Sequence, residues 1–398
     1  MAHMLRYLLI VLAAVSCCLA QDDNPAPTIP APTIPELETA AQASYMHGDY
    51  EVARQSLLQA WDLAQQAPRE DPIRYDVLKR LAAVRATAGE FADADNFLQL
   101  AISWREQNLG LNDPKTVDDV LLSVAYARGL KDFERALLIM NRVLGLHLTA
   151  NRLAGLSQGE FMNSITVADD FSRMAQIQAE MAKLEPAIGS LNTALAIRTK
   201  LLGPLDPSLV YDLDRLGGLQ VTARAYDKAE ETYRHALVVR ETLYGKTHAD
   251  LISTVDGLAY ALFGQKKYDE AEPVYQRLLA LWITSVGGET HPMVAIALDK
   301  IAVFYSTQKK WDQARDATTR ANAIRAYILA DGLSGEASQR IDEGKMAEAI
   351  PVYQRALKVL DVPNPIYDEQ RAVIAAMEKE LEKVVKKPPT QAPLRSKK

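Results

Sequence analysis

The hydrophobic positions of this chain follow a helical period that is itself repeated along the sequence. A large apolar residue is followed three positions later by alanine eight times, beginning with Tyr50 and Ala53. These large residues, called anchors below, are Tyr50, Phe91, Phe133, Leu184, Tyr226, Tyr268, Trp311 and Met346. Successive anchors are separated by 41, 42, 51, 42, 42, 43 and 35 residues, which predicts about eight structural units of similar size.

Small and apolar residues also stand at fixed distances from each anchor. The tenth position after it is alanine in most units, the ninth before it is alanine, glycine or valine, and the thirteenth before it is leucine, valine or phenylalanine. Offsets of three, four, seven and ten fall on one stripe of an α-helix, so each unit is expected to form two amphipathic helices joined by a tight turn. Because one hairpin cannot bury its stripe alone, the pattern predicts an all-α, right-handed solenoid of stacked hairpins.

The segments between units carry capping residues. Proline stands nineteen residues before four anchors, after an aspartate three times and after His291 once: Pro72, Pro114, Pro207 and Pro292. Aspartate caps a helix and proline suits its first turn, and His248 and His291 are interpreted as caps at equivalent positions. Glycines twenty-three residues before an anchor are expected to end the preceding helix with a positive φ: Gly110, Gly203, Gly245 and Gly288.

The pattern of a large residue followed by alanine resembles the tetratricopeptide repeat. The 42-residue period, with Gly-x-x-His/Asp-Pro between units, is similar to the kinesin light chain subclass, best seen over residues 203–237, 245–279 and 288–321. This resemblance covers residues 36–360 and implies a helix-turn-helix superhelical solenoid of about eight repeats. Two departures are the 51-residue spacing after Phe133, which predicts a longer helix or an inserted loop, and the last unit, which has the ordinary repeat length.

The two ends of the chain differ in composition from this repeat region. Residues 1–20 read as a secretory signal peptide, with Arg6 before an apolar run that is too short for a transmembrane helix. Residues 21–35 form a proline-rich linker that repeats Ala-Pro-Thr-Ile-Pro. Residues 361–386 are expected to hold a capping helix from Ile366 to about Val385, and residues 387–398 a basic disordered tail.

The signal sequence predicts an extracytoplasmic protein, periplasmic or secreted. Cleavage after Ala20 removes both cysteines of the chain, Cys17 and Cys18. In an alternative reading, residues 14–17 are a loose lipoprotein box and Cys17 is lipidated, which would anchor the protein to a membrane. Only in that case is a membrane expected as a partner.

Composition and motifs exclude several classes of function. A formal net charge of −6 argues against nucleic-acid binding, and two cysteines confined to the signal region exclude a cysteine-based metal centre in the mature chain. Gly245-Lys246-Thr247 lacks the first glycine of a phosphate-binding loop, and no nucleophile elbow or zinc-protease motif is present. We therefore predict no catalytic residues, no metal and no cofactor.

The remaining functional surface is the concave groove that the first helices of such repeats line. Three aspartates stand twelve residues before successive anchors: Asp214, Asp256 and Asp299. Asparagine occupies this stretch in the resembled family, so the change puts in doubt the binding of acidic peptides. We hypothesise that the aspartates form an acidic ladder for a segment bearing Lys or Arg, with apolar contacts from Tyr211, Tyr260 and Phe263. In the alternative interpretation they bond to neighbouring helices or face water.

The sequence thus predicts a non-catalytic scaffold that binds an unidentified protein partner. A second hypothesis is an accessory cell-envelope enzyme with its site in the insertion at residues 145–165, which offers Asn151, Arg152, Glu160 and Asn163 but no nucleophile and base pair. A third is a structural element that associates with itself end to end.

Overall fold

The computed structural model describes residues 31–110, 113–155, 164–362 and 364–386, and every regular element in these ranges is helical. The chain divides into two compact units, Met1–Gly110 and Leu111–Lys398. The predicted signal peptide with Cys17, most of the linker, and the tail at 387–398 lie outside the described residues.

The first unit holds two helical hairpins, which are α1 (Ile34–Met46) with α2 (Tyr50–Ala64) and α3 (Pro72–Thr87) with α4 (Phe91–Asn108). Helix α1 begins at Ile34 because the Glu36 carboxylate accepts a hydrogen bond from the Thr33 backbone N–H at 2.8 Å and caps the helix. The core between the hairpins is built from Leu37, Leu57, Val77 and Leu81.

The second unit is also built of hairpins, and within it successive helices pack against one another. Its paired helices are α5 (Pro114–Gly129) with α6 (Phe133–Leu153), α7 (Ile165–Glu180) with α8 (Leu184–Leu202), α9 (Leu209–Thr222) with α10 (Tyr226–Tyr244), and α11 (Ile252–Gly264) with α12 (Tyr268–Val286). A single turn of 3-10 helix, Ala249–Leu251, precedes α11. The unit ends with α13 (Pro292–Thr307), α14 (Trp311–Asp342), α15 (Met346–Val359) and α16 (Asp368–Lys386).

The positions that the repeat pattern predicts to be buried are buried in the structure. The alanine three positions after the anchor is no more than 8% exposed in all eight repeats, and the residue ten positions after it no more than 1% exposed. Small side chains at these places allow neighbouring helices to approach closely, so that the larger residues interlock. The predicted all-α repeat fold is confirmed.

The predicted caps hold except at Pro207, which lies ahead of α9 and outside its first turn, and the predicted turn glycines hold except at Gly288. The side chains of Asp71, Asp113 and His291 each accept a hydrogen bond from the backbone N–H two residues later, and His248 caps the 3-10 turn in the same way. Three of the four predicted glycines have positive φ. In the turn between α12 and α13, Gly287, with φ 75°, takes this conformation in place of Gly288. The prediction for Gly288 was wrong by one residue because both glycines can adopt the left-handed turn.

Two helices are longer than the average repeat requires. Helix α6 extends to Leu153, which accounts for part of the 51-residue spacing, and residues 156–163 of that insertion lie outside the described ranges. Helix α14 runs without a break for 32 residues, through the second helix of the seventh repeat and the first helix of the eighth. The sequence from Asn322 to Asp331 contains no glycine or proline, so nothing ends the helix there.

The turn inside every hairpin has one residue in the left-handed region, two positions before the anchor. It is glycine in three repeats and another residue type in the other five: Lys131, Ala182, Arg224, Lys266 and Lys309. A left-handed φ costs a residue with a Cβ about 1 kcal/mol. The packing of the two helices therefore imposes this turn regardless of the residue present.

A buried carboxylate joins the fifth repeat to the turn of the sixth. Glu230 of α10 accepts hydrogen bonds from Lys267 Nζ at 2.7 Å, Gln265 Nε2 at 2.8 Å and Arg234 Nε at 2.8 Å. Burial alone would raise the pKa of Glu230, but the hydrogen bonds from Lys267, Arg234 and Gln265 outweigh it and hold the pKa at about 2.

We expect the hydrogen bonds and ion pairs of Glu230 to stabilise the fold at neutral pH and to lose that contribution in acid. The folded-state pKa of Glu230 lies below its ordinary value of 4.5, so the contribution is complete above that pH and falls away as the pH drops towards 2. Glu230→Gln is expected to lower the urea midpoint at pH 7 and to match the parent near pH 2. Glu231→Gln, at an exposed neighbour, is the control. A constant difference between Glu230→Gln and the parent at every pH would contradict the assignment.

Candidate functional site

A cavity of about 490 Å³ opens between α11 and α13, the first helices of the sixth and seventh repeats. Tyr260 and Phe263 of α11 and Phe304 of α13 form its walls, and Tyr233 and Tyr275 reach it from the second helices α10 and α12. We call it the aromatic cavity. Four of the six residues predicted to bind a partner line it: Asp256, Tyr260, Phe263 and Asp299.

The aromatic rings around this cavity form one connected cluster. The Phe304 ring centroid lies 5.0 Å from that of Tyr275 and 6.2 Å from that of Phe263, which in turn lies 6.5 Å from that of Tyr260. All three pairs are tilted, an arrangement that aromatic rings prefer to face-to-face stacking. Phe304 and Tyr275 are buried in the hydrophobic core and Phe263 packs against it, so this part of the cavity wall is continuous with the core.

Tyr233 is held between two glycines. A Cβ atom at Gly217 of α9 would lie 2.6 Å from the Tyr233 Cζ atom, and one at Gly257 of α11 would lie 2.3 Å from it. The phenol ring therefore passes through the space that two side chains would fill. The earlier repeats have leucine or methionine at the matching position, seven after the anchor, whereas the fifth and sixth have Tyr233 and Tyr275.

Both tyrosines are buried but leave their hydroxyl groups unpaired. Tyr233 is 7% and Tyr275 5% exposed, and neither phenol forms a hydrogen bond with a residue in the described part of the chain. Burial, followed by the charges of Asp214 and Asp256, raises the pKa of Tyr233 to about 12. Burial and then Asp256 also raise the pKa of Tyr275. Both hydroxyls therefore stay protonated and lie in a negative field.

The three aspartates of the predicted ladder are each paired within the chain. Asp214 accepts from Arg240 at 2.7 Å and from the Thr254 hydroxyl at 2.9 Å. Asp256 bonds to Lys300 Nζ through both oxygens at 2.6 Å. Asp299 pairs with Arg325. This geometry favours the alternative interpretation for Asp214 and Asp299.

Tyr211 lies outside the aromatic cavity. It is 68% exposed on α9, and the Arg215 guanidinium carbon lies 5.4 Å from the centre of its ring. The structure therefore separates Tyr211 from Tyr260 and Phe263, with which the sequence analysis grouped it.

The arginine partners belong to a recurring joint between repeats that was not predicted from the sequence. Fourteen residues after the anchor, Arg240 bonds to Asp214 of its own repeat and to Thr254 of the next. One repeat earlier Arg198 links Asp169 to Asp212 in the same way. In the sixth repeat Trp282 takes this position, so Asp256 has no arginine and pairs with Lys300 instead. The recurrence of arginine at one offset was the available signal.

A second apolar cavity continues the same face. It has a volume of about 580 Å³, lies between α13 and α14, and shares Ile296 with the aromatic cavity. Ile328 and Leu329 of α14 form its other side. Together the two cavities make a strip with partly exposed apolar side chains, namely Tyr260, Ile296, Val303 and Leu329.

Only two of the four residues proposed for an alternative enzyme site lie within the described residues. Asn151 Nδ2 donates a hydrogen bond to the Ser164 hydroxyl at 3.1 Å and so connects α6 to the start of α7. Arg152 is exposed, and Glu160 and Asn163 lie outside the described residues. The described helices include none that is long and apolar enough to cross a membrane.

The repeat pattern is matched by a family model described as Tetratricopeptide repeat, over residues 208–283 and 250–326. This match confirms the resemblance to the tetratricopeptide repeat over these residues, which include the helices that form the aromatic cavity. A search of curated proteins gave no match.

Solved structures with a similar fold are repeat proteins of low sequence identity. BtubC (BKLC) from P. vanneervenii is 22% identical, over 63% of this chain and 92% of that chain, with a TM-score of 0.46. The C-terminal part of a TPR repeat-containing protein from Cytophaga hutchinsonii is 14% identical, over 73% and 95%, with a TM-score of 0.49. The nearly identical TPR-like repeats of a putative kinesin light chain from Podosopora anserina are 15% identical, over 54% and 98%, with a TM-score of 0.45.

The close contact of the Tyr233 ring with two glycines can be tested by substitution. Gly257→Ala puts a Cβ into the ring, which the opposing Gly217 helix prevents from moving, and is expected to cost about 1–3 kcal/mol of stability. Gly189→Ala, in the interior of α8 with no atom near the added Cβ, is expected to gain about 0.5–1 kcal/mol. Urea denaturation measures both. Equal effects of the two substitutions would show that the Tyr233 contact is not restrictive.

Proposed function

This chain carries tetratricopeptide repeats of about 42 residues, and on that premise we propose that it is a non-catalytic scaffold that binds a segment of a partner protein along its sixth to eighth repeats. Tetratricopeptide repeats are in general protein–protein interaction scaffolds without catalytic activity. The finer statement, that a segment binds on the face formed by α11, α13 and the second half of α14, is our proposal.

The observation that carries this proposal is the apolar strip on the first-helix face. Val303 is 58%, Leu329 55% and Tyr260 49% exposed, beside two cavities that share Ile296. Apolar side chains grouped around open cavities are typical of binding surfaces, since each gains free energy when a partner covers it. The ion pairs Asp256–Lys300 and Asp299–Arg325 adjoin the strip and supply a polar rim around it.

A charge placed in the strip is expected to abolish binding. Val303→Asp buries a carboxylate under the partner and should cost about 2 kcal/mol or more, which is more than tenfold in Kd. Val238→Asp is the matched control because Val238 is 52% exposed on the second helix α10. Proteins recovered from the native cells on the purified chain are quantified for parent and variants. Recovery that is unchanged by Val303→Asp, or equally reduced by both substitutions, would refute the proposal.

We also propose that the scaffold acts outside the cytoplasm. The support is the pattern of residues 1–20, a basic residue, an apolar run and small residues up to Ala20. Mass spectrometry of the mature N-terminus checks this proposal. A chain beginning at Gln21 is expected, a lipid-modified Cys17 at the N-terminus would indicate membrane anchoring instead, and an intact Met1 would refute export.

A further inference from the structure

The aromatic cavity combines features that an apolar ligand does not need. Its walls are aromatic rings, but its floor holds the hydroxyl groups of Tyr233 and Tyr275, both more than nine-tenths buried and without a protein partner in the described ranges. A purely apolar occupant would cover these hydroxyls and leave them without hydrogen bonds, which is unfavourable. The floor therefore requires an occupant with polar atoms at its tip.

The charge around the floor decides which polar atoms fit. Asp256 lines the cavity and acts electrostatically on both phenols, and Asp214 acts on that of Tyr233. A carboxylate at the tip of the occupant would be repelled by this field, whereas a hydrogen-bond donor with a positive charge would be stabilised by it. Phenol oxygens and carboxylates both accept hydrogen bonds. The floor thus offers three acceptor groups, and its field becomes negative once Lys300, which also lines the cavity and pairs with Asp256, is displaced.

Asp256 is better placed than Asp214 to exchange its partner, and unlike Asp299 it acts electrostatically on both buried phenols. Its present partner, Lys300, is 43% exposed in its side chain and the Asp256 side chain 36%, so water competes with the pair. Asp214, by contrast, is 22% exposed and bonded to both Arg240 and Thr254 inside the joint. The difference arises because Trp282 replaces the joint arginine in the sixth repeat.

We propose that the aromatic cavity is a binding site for one arginine side chain of the partner segment. This rests on the proposed function of the groove and narrows the predicted acidic ladder to Asp256. The aliphatic stem packs on Tyr260 and Phe304, and the guanidinium donates to the phenol oxygens of Tyr233 and Tyr275 and to Asp256, from which it displaces Lys300. Arginine fits this site because its planar head group carries five donors and stacks on aromatic rings.

The site is tested with a probe that contains only the proposed side chain. N-acetyl-arginine amide and N-acetyl-citrulline amide, a neutral analogue of similar shape, are titrated into the full chain and followed by ligand-observed NMR. We expect the arginine probe to bind about tenfold more tightly, because its hydrogen bonds are charge-assisted. Equal binding of the two probes would overturn the proposal, as would tighter binding of N-acetyl-norleucine amide, which has no polar tip.

Substitutions assign the binding to the named atoms. Asp256→Asn and Tyr275→Phe are each expected to weaken arginine binding, by about tenfold and about threefold, whereas Lys300→Gln should tighten it about threefold by freeing Asp256. Asp312→Asn, at an exposed carboxylate of α14 outside the cavity, is the control and should leave affinity unchanged. Tighter binding by Lys300→Gln cannot result from misfolding, so that variant keeps the test decisive. Unchanged or weaker binding by Lys300→Gln would overturn the proposed displacement.

The outcomes separate this inference from the proposed function. If Val303→Asp abolishes partner recovery and the arginine probe does not bind, the groove proposal stands and the arginine site is refuted. If the probe binds as expected and Val303→Asp has no effect, the arginine site stands and the groove is not where the recovered partners bind.

Discussion

Close approach of neighbouring helices is the constraint on which the rest of this structure depends. Each hairpin exposes an apolar stripe that it cannot cover by itself, and the next hairpin covers it only if the backbones come close. The buried alanines three residues after every anchor, and ten residues after most of them, keep that distance short. At Tyr233 the requirement is strictest, since two glycines replace side chains on either side of one ring. The Tyr233 ring passes from a second helix between the first helices α9 and α11, and both it and Tyr275 line the aromatic cavity.

The apolar core positions recur in every repeat, whereas the polar residues that link neighbouring repeats differ. The candidate site lies in a repeat in which these polar residues differ. Arg198 and Arg240 connect one repeat to the next through buried aspartates or threonine. Where Trp282 stands in place of the arginine, Asp256 turns to an exposed lysine. A charge that elsewhere stabilises the joint is there accessible to a ligand. The sixth repeat also supplies Tyr260 and Phe263 of the cavity wall. The aromatic cavity therefore lies in the repeat in which Trp282 replaces the arginine.

Much of the fold was predictable because its determinants are local in sequence. The anchors, the buried alanines, the capping residues and the hairpin period follow from helical geometry alone. The continuity of α14 was also readable, since Asn322 to Asp331 lacks any residue that ends a helix. The glycine predicted to end α12 differs by one position from the observed one, because two adjacent glycines cannot be distinguished from the sequence alone. The left-handed turn residues such as Ala182 gave no compositional signal, because packing and not residue type selects their conformation.

The candidate site was predictable only in part. Asp256, Tyr260 and Phe263 share the cavity as their common helix suggested, and Arg325, which pairs with Asp299, stands at the recurring arginine position fourteen residues after the anchor. Tyr233 and Tyr275 read as ordinary core residues at their offset. Only the packed structure shows that both residues line the aromatic cavity.

Helix α14 belongs to two repeats at once, and this changes how the end of the array comes apart. In a chain of separate hairpins, the terminal hairpin can open while its neighbour stays folded, because a flexible loop lies between them. An uninterrupted 32-residue helix has no such loop, so melting either half exposes the unpaired end of the other. The last two repeats therefore behave as a single cooperative block, which suppresses gradual fraying and makes the first step of unfolding larger.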